Sequence, residues 1–239
     1  AVDGNSELSE LAADVNRLAQ TLEDNRRARQ AWISDIAHEL RTPLAILTAE
    51  LQAIEDGIRT FNEGSRQSLQ FEVQRLNRIV SDLNVLSSSD EGTLSLGLVP
   101  TDLNAILREC CNAAAPRLKE QGISLRFVAS DVRLLASVDA FRITQMFNIL
   151  LENTVRYTDA PGEMRVRFEQ LSADAVTLIV EDSAPGVPPE LHARLFDRLF
   201  RVEQSRSRHS GGSGLGLAIF QALARAHNAT VQAVSSSLG

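Results

Sequence analysis

The sequence predicts a helical hairpin followed by an α+β sandwich, and three observations carry that expectation. Apolar residues recur at alternating three- and four-residue spacing from Leu8 to Leu83, the periodicity changes beyond Pro100, and strand-like and helical segments then mix without regular βαβ alternation. A chain of 239 residues, 44% of them hydrophobic, has material for two domains with real cores. Its net charge of −7 argues against a nucleic-acid binder held by overall charge.

The first seam runs through Leu8, Leu11, Val15, Leu18 and Leu22, the spacing of a coiled coil. A polar stretch, Asn25 to Gln30, separates it from a second seam through Ile33, Ala37, Leu40, Leu44, Leu47, Leu51, Ile54 and Ile58. Eleven residues separate Leu22 from Ile33, a phase shift that changes supercoiling locally and gives a joint able to transmit a twist. After a turn near Asn62 to Ser65, Leu69, Val73, Leu76, Val80 and Leu83 repeat the rhythm. Two such helices joined by a short loop make an antiparallel hairpin with part of its stripe uncovered. Pairing of two chains into a dimeric four-helix bundle is the expected remedy, so a homodimer is predicted.

Polar residues Ser87 to Gly92 end the second helix, and Pro100 suggests a linker, which puts a boundary near residues 90 to 100. Beyond it Asp102 reads as the cap of a helix running to Gln121, with Gly122 as its terminator. Strands are expected at Ile123 to Ala129, Arg133 to Val138, Met164 to Leu171 and Val176 to Glu181. In "MRVRFE" apolar and charged residues alternate, as a sheet with one buried face requires. Helices are expected at Asp139 to Tyr157, Pro189 to Leu195 and Leu215 to His227. The two cysteines, Cys110 and Cys111, are neighbours on a helix and point in different directions, so reduced thiols are expected rather than a bridge. There is no run of about 18 uncharged apolar residues, and the acidic start is not a signal peptide. The stretch is therefore expected to be soluble as given, as a whole protein or as a piece of a longer one.

The stretch "SDIAHELRTPLA", residues 34 to 45, raises a chemical question. His38 shares a helix face with Ser34, Arg41, Thr42 and Ala45, away from the seam at 37, 40 and 44, so its imidazole should face water. An exposed histidine in a solvated stripe is the plain alternative to a functional one. Pro43 shifts the balance, because proline in a helix interior removes a hydrogen bond and costs about 3 kcal/mol, which bulk stability does not call for. Glu39 could hold one ring nitrogen's proton and leave the other lone pair free to attack, making His38 a candidate nucleophile and Glu39 its base. Further along there is no P-loop and no dinucleotide fingerprint. In "SGGSGLGLAIFQALARAH", Gly211, Gly212, Gly214 and Gly216 lead into an amphipathic helix, a cradle for an anion or merely a loose loop with a helix cap.

These motifs together carry a resemblance. "HELRTPL" resembles the phosphoacceptor box of the sensor histidine kinases of two-component systems. "ILLENTVRYTD", "EDSAPGVP", "LFDRLFR" and the glycine run are similar, in order, to the N, G1, F and G2 boxes of the GHKL (Bergerat-type) ATP-binding fold, over residues 145 to 219. The run from Leu8 to Glu23 resembles the end of a HAMP signalling helix, and "WISDIAHELRTPLAILTAELQAIEDGIR" together with "EDSAPGV" and "GGSGLGLAI" is similar to the BaeS-type envelope-stress sensors. The resemblance implies four parts: 1–28, the end of the signalling helix; 29–92, a dimerisation and histidine-phosphotransfer hairpin; 93–101, a linker; and 102–239, an ATP-binding domain. It further implies that His38 takes the γ-phosphoryl group of ATP and passes it to an aspartate on a response-regulator receiver domain. Thr42 would help to place the water that dephosphorylates the regulator.

By the same resemblance Asn153 is the Mg²⁺ ligand, Asp182 accepts from the adenine amino group, Gly186 lets the base approach, and Tyr157 borders the adenine or ribose. Arg156 and Arg201 become the cations near the phosphates, although exposed guanidinium groups without a role fit equally, and Arg198, Arg206 and Arg208 compete. Gly212, Gly214, Leu215 and Gly216 would line the nucleotide, with residues Arg201 to Gly211 as a lid. ATP and Mg²⁺ are thus the implied cofactors. No direct contact with nucleic acid is implied, and the membrane enters only through upstream helices, placing this portion on the cytoplasmic side of a bacterial inner membrane. Three features depart from the pattern. Ile149 stands where the N box usually has an asparagine, with Asn148 displaced by one residue, or about 100° on a helix. Ala184 replaces a G1-box glycine, and the chain stops before the family's closing strand. Ile149 and the missing strand motivate one alternative, a kinase-impaired nucleotide-binding scaffold or phosphatase; a GHKL ATPase without phosphotransfer is another.

Overall fold

The computed structural model describes residues 4–170, 172, 175–202 and 214–238, with the backbone alone for 4–10, 24, 25, 28, 29, 31 and 170. The chain divides into two compact units, Ala1–Ile79 and Val80–Gly239.

In the first unit, helix α1 spans Gly4–Glu55 and helix α2 begins at Glu63 and runs to Asp90. The interval between the two seams is helical throughout. Asn62 starts α2, its Oδ1 accepting from the Ser65 amide at 3.0 Å, which satisfies one orphan donor of the first turn. The expected seams are each split lengthwise. Leu40, Leu47 and Ile54 on α1 and Leu69 and Leu76 on α2 are half-buried, and Pro43, Ser65 and Ile79 are buried. Ile33, Leu44, Leu51, Ile58 and Val73 remain exposed. A two-helix contact covers only one edge of an apolar face of this width, so the other edge stays in water. Leu11, Val15, Leu18 and Leu22 of the first seam are exposed as well.

The second unit contains the last turns of α2 and the remaining elements. Val99–Asp102, where Pro100 suggested only a connection, form strand β1, antiparallel to β3 at Leu135–Val138. Pro100 is compatible with a strand that has a neighbour on one side only. Asp102 caps helix α3 (Leu103–Glu120), accepting from the Asn104 amide at 3.0 Å, and Gly122 at φ +71° turns the chain into β2, Ile123–Val128. Asp139 caps α4 (Ala140–Tyr157) in the same manner, through the Arg142 amide at 3.1 Å. Strands β4 (Gly162–Gln170) and β5 (Val176–Asp182) complete a three-stranded sheet of order β2-β4-β5, parallel between β2 and β4 and antiparallel between β4 and β5. Pro189–Phe196 winds as a 3₁₀ helix, and α5 spans Gly216–Ala226.

Two cores hold this unit. Met164 and Val166, the inward residues of "MRVRFE", pack with Ile123 beneath Leu107, Cys110, Cys111, Ala114 and Leu118 of α3 and Phe147 and Leu151 of α4. A second cluster joins Val85 and Leu86 of α2 to Leu215 and to Ala218, Ile219, Ala222 and Leu223 of α5. Both cysteines are free and buried. Burial pushes the Cys111 thiol up to about 11 and raises that of Cys110.

Candidate functional site

His38 lies on α1 with its side chain exposed, as its helical face requires, and no hydrogen bond holds the imidazole among the described residues. Glu39 points differently. It is half-buried, on the edge of α1 that also carries Pro43 and Glu50, and it makes no hydrogen bond to His38. Adjacent helical residues are rotated by about 100°, so the pair cannot share one wet face. Pro43 is buried within an unbroken helix. Its missing N–H leaves the Glu39 carbonyl without its usual donor, and the Thr42 hydroxyl, one turn beyond His38, donates to the His38 carbonyl at 3.4 Å.

In the second unit α4 is the organising element. Its inward face repeats at Phe147, Leu151 and Thr154, so the next residue back, Asn153, sits at the margin of that face and is half-buried. No hydrogen bond engages the Asn153 amide among the described residues. Thr154 is 0% exposed, and its Oγ1 donates to Oδ2 of Asp182, the last residue of β5, at 2.7 Å. Oδ1 of the same carboxylate accepts from the Ala184 amide at 3.3 Å. The turn that follows is tied back to β4, the Ser183 amide donating to the Glu163 carbonyl at 3.0 Å and the Glu163 amide to Ser183 Oγ at 2.9 Å.

One turn earlier on α4, Ile149 packs against the cluster built on Leu215 and α5. A Cβ placed on Gly216 would lie 3.2 Å from Ile149 Cγ2, so a larger residue where α5 begins would require Ile149 to give by a few tenths of an ångström. Among the described residues no side chain caps α5. The backbone before it is held by Leu199, which adopts φ 62° and donates its amide to the Gly214 carbonyl at 3.0 Å. A Cβ on Gly214 would come within 2.8 Å of Leu199 Cα, and its φ of +69° suits glycine for the same reason. Thus Asn153, Asp182, Gly214, Leu215 and Gly216 are gathered by α4 and its immediate contacts.

Arg156 and Tyr157 are half-buried on the last turn of α4, Gly186 and Arg201 are exposed, and neither arginine has an ion pair among the described residues. Arg198 is paired with Asp90 at the end of α2, which sets it apart from Arg156 and Arg201. Gly211, Gly212, Arg206, Arg208 and the greater part of the expected lid lie outside the described residues. Two contributors, Thr154 and Leu199, were not singled out from sequence. A threonine on the apolar face of α4 was the available signal for the first, since a buried hydroxyl must find a partner. A left-handed leucine leaves no signal in residue types.

Residues 138–239 match the family model described as Histidine kinase-, DNA gyrase B-, and HSP90-like ATPase, and residues 28–92 match the His Kinase A (phospho-acceptor) domain. A solved structure of the Acinetobacter baumannii histidine kinase AdeS is 30% identical, with a TM-score of 0.65, covering 79% of this chain and 86% of that one. The chain is a histidine kinase by family. Among curated relatives of these kinases, the signal transduction histidine-protein kinase BaeS of Escherichia coli K12 is 45% identical over 233 residues, 98% of this chain and 50% of its own length. The chain spans about half or less of the first such kinases it matches, with 35% for the sensor protein kinase WalK of Staphylococcus haemolyticus. Full-length ShkA, solved in complex with AMPPNP, is 26% identical with a TM-score of 0.57 over 83% of this chain and 41% of that one.

Proposed function

We propose that this chain is the cytoplasmic catalytic portion of a BaeS-type sensor histidine kinase, working as a homodimer that phosphorylates His38 from ATP. In this view the phosphoryl group then passes to the receiver-domain aspartate of a response regulator. The observation that carries the proposal is the pairing, in one chain, of a free imidazole in a phosphoacceptor-type helix with a nucleotide-type cradle around α4. The AMPPNP complex of ShkA supports an ATP-like ligand for the second of these. Residues 1–28 would be the end of a signalling helix, 29–92 the phosphotransfer hairpin, 93–101 a linker whose last three residues already pair with β3 as part of β1, and 102–239 the ATP-binding domain. Among the described residues no helix is long and apolar enough to cross a membrane, so anchoring would fall to upstream segments.

In the reaction a His38 ring nitrogen attacks the γ-phosphorus in line; the new N–P bond forms as the bond to the β–γ bridging oxygen breaks, and ADP leaves. Glu39 accepts the proton of the opposite ring nitrogen after a side-chain rotation that brings it out of its half-buried position. Asp182 receives the adenine amino group, Gly186 allows the base to approach, and Tyr157 borders it. Arg156 and Arg201 face the phosphates, and Gly212, Gly214, Leu215 and Gly216 line them. Thr42 serves the reverse task of orienting water at the phosphorylated regulator.

Asn153 fits a magnesium ion carried in with the nucleotide. Its amide oxygen is a hard donor with no competing bond, and no group of three or more His, Cys, Asp or Glu that could hold a metal occurs among the described residues. One protein ligand completed by phosphate oxygens and water is the way such ions are held in phosphoryl-transfer sites. The ion would offset negative charge on the phosphates. Ile149 bears on the alternatives, because it uses the N-box position for packing instead of polar contact, which favours a kinase-impaired scaffold over a simple ATPase.

Incubation with ATP labelled at the γ-phosphate decides among these. Wild-type protein should acquire acid-labile label, and His38→Gln should acquire none, while Asn153→Ala should fall by at least about 100-fold. Label appearing only as free phosphate would make the protein an ATPase, and no label with retained nucleotide binding would make it a scaffold.

A further inference from the structure

We propose that Thr154 is a positioning residue that sets base selectivity by fixing the Asp182 carboxylate; this rests on the proposed nucleotide site and refines it. Among the described residues of that site, Asp182 has its side chain held by another side chain, from α4. Its Oδ2 receives the Thr154 hydroxyl at 2.7 Å, and Oδ1 receives the Ala184 amide at 3.3 Å. A carboxylate has about four acceptor directions, so two donors fix its plane and leave lone pairs for a ligand.

The chemistry of the bond is directional. Thr154 is completely buried, so its single proton has no water to turn to, and the hydroxyl donates it to the carboxylate. That holds Asp182 as an acceptor. An exocyclic amine on a purine supplies the proton such an acceptor needs, whereas a purine lacking it leaves a half-buried carboxylate facing a C–H. Sites built around a buried hydrogen bond reject analogues that lack the partner far better than sites built on shape. The hydroxyl therefore acts through Asp182 and on the base alone, leaving phosphate affinity unaffected.

The test compares binding of Mg-ATP and of Mg-purine riboside triphosphate, which lacks the amino group, by calorimetry on the whole chain. Wild type should prefer ATP. Thr154→Val, which keeps the shape and removes the hydroxyl, should weaken ATP by about tenfold while leaving the purine analogue within about twofold. Thr154→Ser should restore the preference. Equal loss of both nucleotides in Thr154→Val, or no loss of either, would overturn the assignment. If Val at this position abolishes the cooperative melt, Thr154→Ala is read in its place, and unfolding of both would show a role in the fold alone and overturn it too. Asp182→Ala separates this proposal from the one beneath it. Collapse of the preference in Asp182→Ala but not in the Thr154 variants refutes only the threonine, whereas an undiminished preference in Asp182→Ala refutes the adenine assignment and the threonine with it.

Discussion

The helical hairpin and the sandwich solve the same problem to different degrees. In the sandwich, Leu107, Leu118, Met164, Val166, Leu215, Ile219 and Leu223 lose nearly all contact with water within one chain. In the hairpin the comparable residues stay wet: Leu44 is 57% exposed and Leu18 is 61% exposed, and among the most completely buried side chains of that unit are Pro43 and Ser65. Apolar surface left in water forfeits about 25 cal/mol per Å², and contiguous stripes of it mark an interface. The sandwich thus buries its central apolar residues within a single chain, and the hairpin is one half of something, as the proposed homodimer requires. A unit finished only by association can be rearranged by whatever twists it, which suits a signalling stalk better than a nucleotide site.

The same substitution placed in each unit should separate them most sharply. Leu118→Ala, at a site 0% exposed between α3 and the sheet, should cost about 3 kcal/mol through lost burial and a residual cavity. Chemical denaturation should show this loss at every protein concentration. Leu44→Ala should cost little in a dilute sample, within about 0.5 kcal/mol, but should lower the melting temperature and the dimer fraction as concentration rises. A loss at Leu44 as large as that at Leu118 and independent of concentration would end the comparison.

A smaller effect is expected where the sandwich depends on polar anchoring. Asp139 caps α4 through Arg142, accepts from the Gly97 amide at 3.0 Å, and donates its own amide to His227 Nε2 at 3.1 Å. Burial pushes its carboxyl up, but bonds from the Gly97, Arg142 and Phe141 amides and the Arg142 charge outweigh this and leave it below the usual range. A depressed acid stabilises the fold above its unfolded-state pKa, about 3.9, and that contribution disappears as pH falls through the lower folded-state value. Asp139→Ala should therefore cost about 1 kcal/mol near neutrality, and its deficit should shrink in denaturant titrations taken below about pH 4. A deficit unchanged across that range would locate the effect in packing.

What residue types reveal follows the same divide. Local periodicity announced α1, α2, α4 and the alternation of β4, because each depends on neighbours within a turn or a few residues. Strand β1 stayed hidden behind Pro100, since its pairing of Val99 with Val138 depends on a partner that sequence spacing does not indicate. The heptads of the hairpin were legible, but the edge facing the second helix was not, because Leu40 and Leu44 are equally apolar and only the crossing of α1 and α2 distinguishes them. Around the proposed nucleotide site, the glycines and acids of the motifs are visible as residue types, whereas the Thr154 bond to Asp182 and the left-handed Leu199 beneath Gly214 arise from tertiary closure.

The smallest expected effect tests whether the sandwich is as closed as its burial implies. Cys110 and Cys111 belong to its main core, where burial pushes the Cys111 thiol up to about 11 and a second thiol beside it adds to the shift. Only the thiolate attacks a disulfide reagent, so at pH 8 a folded chain offers both a small ionised fraction and no access. An aromatic disulfide reagent should leave both thiols unmodified in native protein over the time in which denatured protein gives two equivalents. Slow labelling should follow the rate at which the unit opens, and so should accelerate in Leu118→Ala but not in Leu44→Ala. Equal acceleration in both would mean that the opening of the sandwich is governed by the hairpin, and that the two units are not the separate solutions their burial describes.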